Sequence, residues 1–303
     1  MAHQHHHHGH SHGQHNHSTD NIGWAFFLNL FFTIIEFIGG AFTNSVAIMA
    51  DAVHDLGDTV AIGVGYFFEK YSNKKENNFY TYGYRRYSTL AAMINIVVLT
   101  TGSILMIVKT IPRLITPEAV DAQGMVYMGI LGVIVNGAAV FKLMSNKNSA
   151  NQRVMMLHML EDTLGWIAVL IGAGVMVFWD LPIIDPILSL CIATFILYNA
   201  IKNLIAIMPI FLQAAPTGVD QEKIINELIK IPDVVDTHDL HIWSLDGEFN
   251  IMSLHLVVAQ KVTIERAAEI KKKVREIIDK DDVKHITIEI EREDEDCHED
   301  CNH

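Results

Sequence analysis

The sequence predicts an α-helical membrane domain of six transmembrane helices, followed by a small cytosolic α/β domain in the order αββαβ. Six apolar segments, at about 22–42, 45–68, 88–111, 124–145, 154–178 and 184–207, each approach the ~20 residues that a helix needs to cross a bilayer. Half of the 303 residues are hydrophobic and 19% are charged, against about 25% in soluble chains. After Met208 the long apolar runs give way to amphipathic and alternating patterns, which mark a separate soluble unit.

The first segment, 1–20, reads as a disordered cytoplasmic tail. Residues 3–17 hold nine histidines broken by Gly, Gln, Ser and Asn, unlike an uninterrupted engineered tag. His5, His6, His7, His8, His10 and His12 suit a mobile metal bait that raises local metal concentration without a unique site. No cleavable signal peptide is expected, because the first apolar segment follows a tail without Lys or Arg and lacks a small-residue cleavage site.

The membrane domain is placed at 21–208, and its orientation follows from Lys and Arg in the connections. Lys70, Lys74, Lys75, Arg85 and Arg86 lie between the second and third spans, and Lys142, Lys147 and Arg153 between the fourth and fifth. The third-to-fourth connection has Lys109 and Arg113, and the others have none. Both termini are therefore expected in the cytoplasm. The net charge of −13 reflects acids crowded at the C-terminus, so nucleic acid is not an expected partner.

Within the second span, NSVAIMADAVHDLGDTV places Asp51, His54, Asp55 and Asp58 on one helical stripe. A carboxylate at mid-bilayer costs roughly 2.5–3.5 kcal/mol, so several acids there need partners or work. The same spacing recurs at His158 and Asp162 in HMLED. Two helices each offering His and Asp four residues apart supply N₂O₂, the ligand number of a tetrahedral divalent ion such as zinc.

These motifs, with YTYGYRR, DPIL and HDLHIWSLDG in the same order, resemble the cation diffusion facilitators, a family of proton-coupled divalent-metal transporters. The resemblance implies a ferredoxin-like tail domain with an antiparallel sheet, and a homodimer formed through it. Gly57 and Trp166 depart from it, standing where many relatives carry a small hydroxyl residue, which leaves the packing around the two His-xxx-Asp pairs open.

Other polar residues in the spans have simpler readings. Asn29, Asn95 and Asn136 suit hydrogen bonds between helices, and Gly39, Gly40, Gly172 and Gly174 allow close approach. Glu36 reads either as a proton-relay acid or as a partner for a neighbouring polar group. Asp51, Asp55 and Glu161 flank the ligand set, where they can hold the imidazoles in one tautomer or face water. Asp185, before Pro186, reads as an anion at the N-terminus of the sixth span.

The tail domain is placed at 209–292, with helices at about 219–231 and 263–279 and strands at about 234–245, 248–258 and 284–291. Asp246-Gly247 is a strong two-residue hairpin signal. Such a turn pairs Leu245 with Glu248 and sets His238 opposite His255, close enough to share an ion. His241 and His285 are further candidates, and the resemblance adds Glu289 or Glu291. An acidic tail, 293–303, ends the chain with Cys297, His298, Cys301 and His303. Three cysteines form no disulfide framework, so Cys297 and Cys301 read as thiol ligands in a reducing compartment.

Together these readings describe a zinc exporter that exchanges Zn²⁺ for protons in a membrane, expected to be a bacterial plasma membrane. Cadmium, cobalt and manganese are alternative cargoes. Two rivals are weaker. An intramembrane metalloenzyme needs an open metal position and a base beside the first His, and HMLED offers neither. A metal sensor or store has no need of ligands at bilayer depth.

Overall fold

The computed structural model of the chain describes residues 16–72, 74, 76–144, 150–279 and 283–295. They fall into two compact units: Met1–Phe68 with Ala91–Lys202, and Glu69–Leu90 with Asn203–His303.

Six long helices dominate: α1 (Asn16–Thr43), α2 (Val46–Ser72), α3 (Arg86–Ile115), α4 (Ala122–Met144), α5 (Ala150–Trp179) and α6 (Ile184–Phe211). Each outruns the apolar segment that predicts it, or matches it within two residues. Five carry windows long and apolar enough to cross a membrane: Phe26–Thr43, Arg86–Ile115, Ala122–Lys142, Met156–Trp179 and Ile184–Phe211. The remaining helix, α2, has the length but holds Asp51, Asp55 and Asp58. Helices satisfy their own backbone polar groups, which suits them to lipid. Phe27, Phe31, Leu105, Phe141 and Phe178 accordingly point outward, each more than 60% exposed.

The first unit positions α2 by its N-terminal end. Asn44 turns the chain at φ 55°, and the Arg113 guanidinium donates to its carbonyl and side-chain oxygens, both at 2.7 Å. Ser45 Oγ accepts from the Ile48 amide at 3.1 Å as an N-cap. Asp185 does more than start its own helix. Its carboxylate, fully buried, accepts from Ser45 Oγ and from the Val46 and Ala47 amides of α2, at 2.5, 2.9 and 3.0 Å. The anion thus satisfies orphan donors at the positive end of the α2 dipole.

At both departures from the resemblance a glycine on one helix receives a bulky side chain from another, Gly57 receiving Leu99 and Gly132 receiving Trp166. A Cβ at Gly57 would lie 2.2 Å from Leu99 of α3, and one at Gly132 of α4 would lie 2.1 Å from the Trp166 indole. Trp166 is fully buried in a cluster with Phe32, Ile48, Met125, Val169, Ala173 and Met176. Small residues on one helix thus receive bulky ones from the next, the close packing that lipid-embedded helices rely on.

In the second unit, α7 (Gln221–Leu228), β1 (Val234–Ser244), β2 (Asn250–Val258), α8 (Ile264–Ile278) and β3 (Val283–Arg292) follow in the predicted αββαβ order. Asp220 and Thr263 cap the two helices through Lys223 N and Arg266 N. The sheet order is β1-β2-β3. β1 and β2 are antiparallel, but β2 and β3 are parallel, which corrects the expectation of a wholly antiparallel sheet. The reason is the crossover: a 15-residue helix returns the chain to the end at which β2 began. Met252, Leu254, Leu256 and Val258 of β2 meet Ile224, Leu228, Ile270, Val274 and Ile278 of the helices in one core. Period-two alternation sends Ser253, His255 and Val257 to the opposite face.

Candidate metal centre

Helical geometry brings the two His-xxx-Asp pairs together. His54 Nε2 lies 3.8 Å from Asp58 Oδ2 and 3.6 Å from Asp162 Oδ1. His158 Nε2 lies 3.2 Å from Asp58 Oδ2 and 3.9 Å from Asp162 Oδ2. Tetrahedral donors about 2.0–2.2 Å from one ion stand roughly 3.3–3.6 Å from each other, so these separations are close to the edges of a zinc polyhedron. His54, His158 and Asp162 can place ligand atoms all within 4.8 Å of one another; Asp58 approaches both rings without joining that set. The imidazole centroids are 5.9 Å apart.

The local chemistry favours a cation at the centre. Asp162 is 8% exposed, and its Oδ1 is buried without a hydrogen-bond partner. No Lys or Arg is paired with any of the four among the described residues. His54 Nδ1 is buried without a hydrogen-bond partner, so no flanking acid holds that ring through it, and Glu161 is exposed. Asp51 faces α5, with Oδ1 3.9 Å from where a Cβ on Gly165 would lie. Asp55 turns toward α1, where Asn29 Nδ2 donates to its backbone carbonyl at 3.2 Å and to Thr59 Oγ1 at 2.9 Å. Asn29 thus makes the expected bond between helices, whereas one polar atom each of Asn95 and Asn136 is buried without a partner.

A second cluster lies on the sheet face that the helices leave uncovered. His238 pairs with His255, their ring centroids 5.3 Å apart. Glu291 bridges them, with Oε2 3.2 Å from His238 Nε2 and Oε1 2.6 Å from His255 Nδ1. His238, His255 and Glu291 can place ligand atoms within 4.8 Å of one another. Glu289 is more remote, 3.6 Å from His255 Nε2 and 66% exposed. His285 stands apart, edge-on to Tyr82 at 5.5 Å. Cys297, Cys301 and the N-terminal histidines lie outside the described residues.

The route to the His238–His255 pair differs from the predicted one. The hairpin loop is three residues, Asp246 to Glu248, closed by Leu245 N donating to Phe249 O at 3.0 Å, and Leu245 does not pair with Glu248. Gly247 takes φ 95°, while Asp246 Oδ1 accepts from the Glu248 and Phe249 amides. The register this sets would misalign the histidines by one residue. An irregularity between His238 and His241 then restores the pairing: Asp239 and Leu240 together oppose Leu254 as a bulge. Asp239 sits there at φ 50°, a conformation Asp tolerates better than most residues. Its carboxylate lies 2.8 Å from His241 Nε2 and 3.5 Å from His255 Nε2. Sequence reasoning missed this residue, because a mid-strand Asp carries no bulge signal by itself.

The comparisons with known proteins agree with this architecture. Residues 24–212 match the cation efflux transmembrane domain, and residues 216–293 match the cation efflux protein cytoplasmic domain. The chain is 33% identical over 268 residues to a cadmium, cobalt and zinc/H(+)-K(+) antiporter of Bacillus subtilis, covering 86% of this chain and 85% of that one. It is 30% identical to the zinc transporter ZitB of Escherichia coli, over 85% of this chain and 83% of that one. The metal cation efflux system protein CzcD of Cupriavidus metallidurans is 29% identical, over 86% and 82%. These relatives are transporters, which removes the enzyme reading, and the chain belongs to the cation efflux family.

Proposed function

We propose that this chain exports Zn²⁺ from the cytoplasm in exchange for protons, through His54, Asp58, His158 and Asp162. The single observation that carries the reading is the approach of both Nε2 atoms to both carboxylates, at 3.2–3.9 Å, between α2 and α5. Here α2 counts as a sixth span, its acids facing a polar centre. Imidazole binds metal only when deprotonated, so metal entry releases protons and proton entry releases metal. If the centre opens alternately to either side, a proton gradient drives extrusion. The Bacillus subtilis relative's name, which pairs metals with H(+) and K(+), supports exchange against monovalent cations.

Two imidazoles favour zinc, cadmium and cobalt over manganese, which prefers oxygen. The other parts of the proposal are a bacterial plasma membrane, a homodimer through the cytosolic domain at 209–292, and both termini in the cytoplasm. Under the same reading the His238–His255–Glu291 cluster binds regulatory zinc, with the Cys/His tail at 293–303 within its chemistry. The rival as a store or sensor predicts binding without flux. Zinc flux in sealed proteoliposomes tests the proposal: gradient-driven accumulation supports it, and saturable binding without accumulation rejects it.

A further inference from the structure

The metal centre is open on one side only. On α5 the His158 side chain is 36% exposed, that of Asp162 one turn further along is 7% exposed, and none of residues 156–160 is buried. On α2 a matching gradient runs back toward the helix start, from an Asp58 side chain 21% exposed to the buried Asp51. In the orientation of the proposed exporter, α5 runs outward from Ala150 to Trp179. The open side is then cytoplasmic and the closed side external.

The residue that closes it is Trp166, four positions after Asp162 and so on the same helical face, one turn outward. Its indole is fully buried, seats against Gly132 of α4 and meets the Phe32 ring of α1 edge-on, with centroids 6.1 Å apart. The buried cluster continues along α5 through Val169 and Ala173 to Met176, about 15 Å further along the axis. An apolar constriction of this kind excludes water, and with it hydrated ions and protons. Two features suit the indole to leave its seat. Nε1 is buried with no hydrogen-bond partner in the protein, so packing alone holds the ring, and rotation into a wet pathway would give that N–H a partner in water. Met125, Met128 and Met176 belong to the same cluster, and their flexible side chains can repack around a displaced ring. We propose that Trp166 is the external gate of the metal centre: seated on Gly132 it confines exchange to the cytoplasmic side, and outward release requires the indole to leave that seat. The assignment of sides rests on the transport reading; the seal itself does not.

The test uses the full-length protein in sealed proteoliposomes without zinc, under an imposed proton gradient read by an entrapped pH dye. Because one side is already open and the facing glycine cannot fill the space, Trp166→Ala joins the two sides. It should dissipate the gradient at least several-fold faster than the wild type. Trp166→Phe keeps an aromatic ring in the seat and should leak less than Trp166→Ala. Gly132→Ala keeps the tryptophan but puts a methyl group where the indole lies, and should leak as well. Calorimetry on the same proteins separates a gate from a general packing role: the leaking variants should keep zinc binding within a few-fold, whereas a disordered centre loses binding together with the seal. If Trp166→Ala does not fold, Gly132→Ala and Trp166→Phe decide. Zinc accumulation by the wild type is scored separately, so a wild type that binds without accumulating rejects the transport reading and leaves the leak to judge the seal. Variants at Trp166 and Gly132 as tight as the wild type, or leak that comes only with loss of zinc binding, overturn the gate.

Discussion

The two histidine clusters reach similar chemistry by different physical routes. In the membrane domain each half-site is local: His54 with Asp58 and His158 with Asp162 are set by one helical turn, and only one long-range step, α2 against α5, completes the centre. On the sheet, no two of His238, His255 and Glu291 share a strand, so the cluster depends on two pairings, a three-residue loop and a bulge. A site built of helical turns withstands small shifts in packing. A site built of register is lost when one residue slips.

The largest expected effect is on the helical centre. Alanine at His54, Asp58, His158 or Asp162 should cut coupled zinc flux at least ~100-fold, the upper range found even for partners that only support a metal ligand. Flux measured in proteoliposomes checks it, with circular dichroism showing that the helices persist. Full transport in any one variant removes that residue from the centre.

A smaller change probes donor type. His54→Asp makes the centre oxygen-rich, which should lower zinc preference relative to manganese roughly tenfold in competition assays. Unchanged competition sinks the selectivity argument and leaves the location intact.

The register-built cluster has a different signature. His238→Ala/His255→Ala should remove zinc from the cytosolic domain, as read by calorimetry on the full chain against the single-cluster His54→Ala background. Transport should then fall most at low zinc, where binding otherwise stabilises the transport-ready arrangement. Asp239 sharpens the comparison further. Asp239→Val puts a β-branched residue at φ 50° and should cost about 1–2 kcal/mol, whereas Asp239→Gly keeps the backbone and loses only the carboxylate. Denaturant unfolding separates the two, and equal stability would argue that the bulge is not strained.

How much of each site was legible follows from the same difference. The i, i+4 pairs of the membrane centre stand in the sequence as written, and so do the apolar runs that became α1 and α3–α6. The His238–His255 pairing was also legible, yet through a two-residue turn that does not form. Two displacements of opposite sense, a loop longer by one and a bulge at Asp239, cancel. The direction of β3 could not be read from alternation, since Ile286, Ile288 and Ile290 alternate alike in parallel and antiparallel strands. Asp185 shows the same limit in the helices: its own helix start was visible, but its bonds to Ser45, Val46 and Ala47 span about 140 positions.

The most direct test of the central claim is zinc uptake into everted vesicles, with and without an imposed proton gradient, by the wild type and Asp162→Ala side by side. The account predicts gradient-dependent uptake by the wild type and none above background for Asp162→Ala at equal protein. Wild-type uptake indifferent to the gradient, or undiminished uptake by Asp162→Ala, would contradict it.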